Sequence, residues 1–179
     1  MQYYKKVEIE NLPEIITKCL SYIKTQTEIY FQYPIGAYRN LNFQELVTNC
    51  PELLTAFDKY NIRPVYAAAF VTYRNASVYV HVDAGSDLAR INIPLQNCKN
   101  TFTEFYTGGK SESYYNPITG ISATKLVGPG LTLVDKVEID QATVIRVKEP
   151  HSVQMDEKFA PRVTLTIGFD RDPVFLLED

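Results

Sequence analysis

Tryptophan is absent, and histidine and cysteine are scarce: the 179 residues hold two histidines and three cysteines. Cys19, Cys50 and Cys98 are odd in number, widely spaced and form no Cys-x-x-Cys pair. That argues against a disulfide framework and against a thiolate zinc site, and it suggests reduced thiols in a cytoplasm. The first residues, Met1-Gln2-Tyr3-Tyr4-Lys5-Lys6-Val7-Glu8, carry no apolar core of the kind a secretory leader needs. No apolar run approaches the roughly 20 residues that cross a bilayer, so no membrane partner is expected. Charge of one sign is also lacking. Lys and Arg total 18 against 21 Asp and Glu, a net charge of −3, which gives no overall field for nucleic acid. Internal repeats and low-complexity tracts are missing too. What remains is an ordinary globular composition, long enough for one domain over residues 1–179 with a core of its own.

Two regimes of patterning divide that domain. Residues 1–62 read as mainly helical. Asn11-Leu12-Pro13-Glu14 looks like a helix start, followed by an apolar stripe of Ile15, Ile16, Cys19, Leu20 and Ile23. Asn42-Phe43-Gln44-Glu45 fits a capping-box start for a short helix that Cys50-Pro51 ends, and Pro51 can open another turn through Leu53, Leu54 and Phe57. Tyr30 to Arg39, with Pro34 and Gly36, reads as loop. Residues 63–169 turn β-rich. The expected strands are Val65–Tyr73, Ser77–Asp83, Arg90–Leu95, Thr101–Tyr106, Ile121–Val127, Leu131–Ile139, Thr143–Val147 and Arg162–Phe169. They are separated by turn signals such as Arg74-Asn75, Asn116-Pro117 and Gly128-Pro129-Gly130. Residues 170–179 read as a tail. The expected class is α+β, mainly β: a jelly roll with N-terminal helices packed on one sheet.

Both histidines lie in suggestive company. The run Ser77-Val78-Tyr79-Val80-His81-Val82-Asp83 alternates strictly, and on a strand residues i and i+2 share a face. Tyr79, His81 and Asp83 would then face one way, with an imidazole beside a carboxylate. Taken alone, His-x-Asp is more often a buried histidine bonded to a neighbouring acid. Downstream, His151 is followed by a polar loop and by Arg162-Val163-Thr164-Leu165-Thr166-Ile167, which alternates again. Arg162 and Thr164 would share a face, where a guanidinium fork and a hydroxyl can hold a carboxylate. Two imidazoles and one carboxylate are the ligand set of non-haem Fe(II) oxygenases.

His81-x-Asp83, a distal His151 and Arg162-x-Thr164 about ten residues later resemble the signature of the Fe(II)/2-oxoglutarate-dependent dioxygenases. The resemblance runs from about Arg63 to Phe169. Through His81-x-Asp83…Arg90-x-Asn92-x-Pro94-Leu95 it is most similar to the aspartyl/asparaginyl β-hydroxylase-type branch and to small phage and bacterial hydroxylases. It implies a double-stranded β-helix in which His81, Asp83 and His151 bind Fe(II). It further implies that Arg162 and Thr164 bind the distal carboxylate of 2-oxoglutarate, and that Arg90 helps hold its iron-chelating end, with Asn92 beside it among the cofactor-binding residues. Asn92 stands where the branch often has His, and Gln154 where it has Asn. The implied reaction couples decarboxylation of 2-oxoglutarate by O2 to hydroxylation of an unactivated C–H bond. The carboxylate of Asp83 favours hydroxylation over halogenation.

Two other readings compete. One is a cupin-like jelly roll that binds a metal or small ligand without catalysis; Arg162-x-Thr164 after His151 argues against it. The other is a metal-free interaction domain. For the enzyme, the substrate is a peptide, a free amino acid or a small metabolite, and the resemblance tilts toward a peptide or protein side chain. The segments Tyr30 to Asn40, Ala84 to Ala89 and Gly108 to Thr119 are the expected entrance, with Tyr30, Phe31, Tyr33, Tyr38, Arg39, Lys110, Tyr114 and Tyr115 on them.

Overall fold

A computed structural model describes residues 1–26, 37–73, 79–116 and 121–178. In chain order its strands are β1 (Tyr4–Lys6), β2 (Ala37–Asn40), β3 (Pro64–Thr72), β4 (His81–Val82), β5 (Ala89–Gln96), β6 (Phe102–Thr107), β7 (Lys110–Asn116), β8 (Ile121–Val127), β9 (Thr132–Glu138), β10 (Thr143–Arg146), β11 (His151–Gln154) and β12 (Arg162–Phe169). Among the described residues two α-helices, α1 (Leu12–Thr25) and α2 (Phe43–Asn49), precede most of them. The strands form two six-stranded sheets, in the orders β1-β10-β5-β12-β3-β2 and β7-β8-β4-β11-β6-β9. Successive strands change sheets through β3, β4, β5 and β6, and again through β9, β10, β11 and β12. The chain is therefore α+β and mainly β, with antiparallel pairing throughout the described ladders.

The first sheet has two unlike faces. Ala67, Ala69 and Val71 of β3, Ile91, Ile93 and Leu95 of β5, and Val163, Leu165 and Ile167 of β12 form one core with Ile15, Cys19 and Ile23 of α1, Leu46 of α2, Leu53 and Phe57. These are the residues that the period of two on the strands and the helical stripe assign to the interior. Asn42 caps α2 by accepting from the Glu45 N–H at 3.3 Å, and its amide donates to the Glu45 carboxylate at 2.9 Å. The alternate residues of β5 and β12 (Arg90 and Asn92; Arg162, Thr164 and Thr166) point from the opposite face. A second, smaller core of Phe105, Val137, Ile139 and Ile145 holds the sheets together at one end, with Tyr3 and Tyr4 against it.

Several expectations need correction. The strand expected over Ser77–Asp83 shrinks, among the described residues, to His81–Val82; Tyr79 and Val80 precede it and Asp83 follows it. Residues 1–62 are not only helical, because β1 and β2 are edge strands of the first sheet. Both are short, so their own sequence carries little periodicity, and long-range pairing makes them strands. Lys110–Asn116, read as an entrance loop, is β7, paired residue for residue with β8. His151–Gln154, not among the expected strands, is β11 between β4 and β6. The expected tail folds in: Pro173–Leu177 is a 3-10 helix capped by Asp172, with Pro173, Leu176 and Leu177 buried. Tyr30, Phe31 and Tyr33, and the turns at Arg74-Asn75 and Pro117, lie outside the described residues.

Candidate metal centre

The ladder between β4 and β11 places His81 directly opposite His151. Cross-strand partners project from the same face of a sheet, and the two rings lie with centroids 4.5 Å apart, tilted by 46°. In each ring Nδ1 is 2.8 Å from a backbone carbonyl two residues earlier, that of Tyr79 for His81 and of Glu149 for His151. A carbonyl can only accept, so each neutral ring carries its proton on Nδ1 and presents a free lone pair on Nε2. This local bond fixes ring direction and tautomer without a metal, as the outer partners of metal-bound histidines do.

Asp83 completes the group. Its Oδ1 is 3.3 Å from His81 Nε2 and 3.7 Å from His151 Nε2. Its Oδ2 faces Arg90 Nη1 at 3.8 Å. One oxygen thus meets the imidazoles while the other meets a guanidinium. Candidate ligand atoms of His81, Asp83 and His151 all lie within 4.8 Å of one another, and this is the cluster able to hold a metal ion among the described residues. The donor set fits such an ion: two imidazole nitrogens and one carboxylate oxygen converge.

The electrostatics agree with a preformed site. Burial pushes His151 down to about 4, and the charge of His81 adds to this against the pull of Asp83. Burial acts the same way on His81, but the hydrogen bond and charge of Asp83 outweigh it and raise the pKa. Burial would raise the Asp83 carboxyl; the hydrogen bond from His81 and the nearby His151, His81 and Arg90 charges overcome that and lower it. Asp83 is therefore a carboxylate and His151 a neutral ring at neutral pH.

Comparison with known proteins adds little beyond architecture. No family model matches the chain, and no curated protein matches it. Among solved structures, AviO1 from Streptomyces viridochromogenes Tue57 is similar in fold. Its TM-score is 0.55 at 13% identity, over 96% of this chain and 90% of that one.

The remaining expected residues divide. Arg162 is 3% exposed. It donates from Nε to Thr101 Oγ1 at 3.0 Å and from Nη1 to Thr164 Oγ1 at 3.4 Å. Among the described residues no carboxylate pairs with it. Burial lowers its pKa, because removing a cation from water without a counter-charge is unfavourable. Thr164 is thus brought to Arg162 as expected. Arg90 lies against Asp83, at 3.8 Å through Nη1, and against Asp87, at 3.2 Å through Nε. Asn92 sits one strand from Thr166, and its buried Oδ1 has no hydrogen-bond partner.

Three residues escaped the sequence reading. Thr101 approaches Arg162 from 61 positions away in sequence. Tyr66 packs its ring beneath Arg90, 5.6 Å from the guanidinium carbon. Room for that ring comes from Gly168, its partner on β12, where any Cβ would collide with it. A glycine within an alternating strand was the available signal. The third is Lys148.

Proposed function

We propose that this chain is an Fe(II)- and 2-oxoglutarate-dependent dioxygenase that hydroxylates an unactivated C–H bond, built on a double-stranded β-helix. The strand-by-strand alternation between two antiparallel sheets fits that architecture, in which sequence-distant ligands meet on facing strands. The observation that carries the reading is Arg162. A buried guanidinium whose hydrogen bonds, among the described residues, go to hydroxyls needs an anion, and it projects from the strand face opposite the helix-packed core, as Arg90 beside Asp83 does. A cupin-like binder of a metal alone leaves that charge unexplained.

In this reading His81 and His151 hold iron through Nε2 and Asp83 holds it through Oδ1. Bound iron with 2-oxoglutarate and O2 supplies oxidation of a C–H bond, the co-substrate leaving as succinate and CO2. The protein's own work is placement. Arg162 and Thr164 receive the distal carboxylate, the guanidinium through its unused N–H groups. Asn92, on the neighbouring strand β5, offers its amide N–H on the same sheet face. Arg90 holds the second oxygen of Asp83 and so keeps the first toward the imidazoles. The substrate is a peptide or protein side chain, a free amino acid or a small metabolite, approaching past Tyr38 and the Tyr79–Tyr114 pair, whose rings lie 5.1 Å apart. Three buried thiols suit a reducing cytoplasm.

Anaerobic titration with Fe(II) should saturate at about one ion per chain, by analogy with two-histidine, one-carboxylate sites. His81→Ala and His151→Ala should each abolish tight binding. The parent, loaded with iron and given O2, should convert 2-oxoglutarate to succinate. Iron binding that survives both substitutions would end the assignment of the centre. A loaded protein that never consumes 2-oxoglutarate would end the assignment of the activity.

A further inference from the structure

The strand that carries His81 is two residues long, and Asp83 lies beyond its end. A carboxylate there has no ladder on both sides to fix its direction, yet its Oδ1 must meet two imidazoles. One backbone bond helps: the Asp83 N–H donates to the Val147 carbonyl at 3.0 Å. The residue after Val147 supplies more. Lys148 Nζ donates to the Asp83 carbonyl at 2.8 Å and to the Gly85 carbonyl at 2.6 Å. Gly85 has φ of +91°, and a Cβ there would meet nothing within 4 Å. Its glycine therefore serves backbone conformation rather than space. The left-handed residue folds the chain so that two carbonyls, two positions apart, address one ammonium. Lys148 makes no ion pair among the described residues; its charge is spent on these carbonyls. It also stands three positions before His151, on the segment that delivers the second imidazole.

We infer that Lys148 is a positioning residue for the metal centre: its ammonium clamps the Asp83–Gly85 turn to the segment leading into His151 and so sets the aim of the Asp83 carboxylate. The inference rests on the metal-centre reading above. The clamp works with or without metal, because none of its bonds involves a ligand atom. Leu88 closes the far side of the same loop, its N–H donating to Asp172 Oδ2 at 2.6 Å and its carbonyl accepting from Val147 N–H at 3.0 Å. Loop and segment are thus tied at both ends, and Lys148 is the tie nearest the ligand.

The test uses the full chain and Co(II), whose visible spectrum reports ligand number and geometry. Parent, Lys148→Met, Lys148→Arg and a control, Lys18→Met, are titrated in the cold, where all are folded by circular dichroism. Lys18 bridges Glu14 and Glu52 on the helical side, away from the centre. Lys148→Met should weaken Co(II) by about 10- to 100-fold, as losing an outer partner of a metal ligand does, and should alter the ligand-field bands. Lys148→Arg should recover part of the affinity, and Lys18→Met should match the parent. Parent-like affinity and spectrum in folded Lys148→Met would overturn the inference while leaving the centre intact. A parent that binds no Co(II) would overturn the centre itself, and the inference with it. Should Lys148→Met fail to fold, Lys148→Gln replaces it and is held to the same outcomes.

Discussion

One strand, β12, shows two kinds of residue under one degree of burial. Val163, Leu165 and Ile167 are fully buried among helix and strand side chains, while Arg162, Thr164 and Thr166 are at most 3% exposed on the other face. The first set removes apolar surface from water, which stabilises at roughly 25 cal/mol per Å². The second set buries polar groups, which costs free energy unless each finds a partner. β5 repeats the division: Ile91, Ile93 and Leu95 lie in the helix-packed core, and Arg90 and Asn92 lie opposite them. Burial alone therefore does not distinguish a core from a site. Unmet hydrogen-bonding and charge do, and Asn92 Oδ1 and the Arg162 guanidinium bring both to one face of the first sheet.

The strongest way to break this comparison is to truncate one residue on each face of β12. Leu165→Ala should cost about 2–5 kcal/mol of folding stability through lost burial and a residual cavity, read by urea unfolding. Its folded fraction should keep the parent's affinity for Fe(II) and 2-oxoglutarate. Arg162→Leu should do the reverse. With no ligand present, removing an unneutralised buried cation should leave stability unchanged or raise it. Affinity for 2-oxoglutarate should fall by about 2–5 kcal/mol in free energy, with Fe(II) binding kept. If Arg162→Leu is as destabilised as Leu165→Ala and binds 2-oxoglutarate like the parent, the two faces are one core and the distinction is wrong.

A finer cut comes from Thr164→Val, which keeps shape and removes the hydroxyl beside Arg162. The loss should be about 1 kcal/mol in 2-oxoglutarate affinity, the scale of one hydrogen bond, measured by calorimetry under anaerobic conditions. An unchanged affinity would assign Thr164 to support of the guanidinium alone.

The sequence exposed these faces unevenly. The alternation over Arg162–Thr166 reports both faces of β12 directly, because a long strand repeats its period enough times to be read. The same holds for α1, whose stripe of Ile15, Cys19 and Ile23 is buried. His81, Asp83 and His151 were legible as ligand types at plausible spacing, and the structure brings them together. The mechanism of their meeting was not legible. The strand expected to hold His81 and Asp83 on one face barely exists; a single cross-strand pair and a turn replace it. β1, β2 and β11 were missed because short strands owe their state to partners elsewhere in the chain; β7, Lys110–Asn116, was missed because its sequence KSESYYN carries no apolar alternation. Arg90 was read toward a cofactor, and its pairing with Asp87, three residues earlier, and with Asp83 was not foreseen. Lys148 gave no signal at all, since a lysine bonded to backbone carbonyls looks in sequence like any surface lysine.

The last expected effect concerns protons, and it separates the two imidazoles from each other. His151 is held at about 4, against an ordinary 6.5, by burial and then by the charge of His81. Its Nε2 is therefore already proton-free near neutrality. His81 is raised instead, the Asp83 hydrogen bond and charge overcoming its burial. A metal must expel a proton from His81 but not from His151. Affinity for Co(II) should then rise with pH below the His81 pKa by about tenfold per unit, corresponding to one proton, and level off above it. Calorimetry in two buffers of different ionisation enthalpy should count about one proton released per ion on the rising limb. The metal-free protein carries the matching signs. Stability tied to His151 is present above 6.5 and is lost as pH falls toward about 4. Stability tied to His81 is present below 6.5 and is lost as pH rises through its raised folded value. Together they place a stability maximum near the ordinary imidazole pKa, absent from a protein with both histidines replaced. A release of two protons per ion would mean that the rings titrate alike, and that the distinction drawn here between a buried acceptor and an acid-paired one is false.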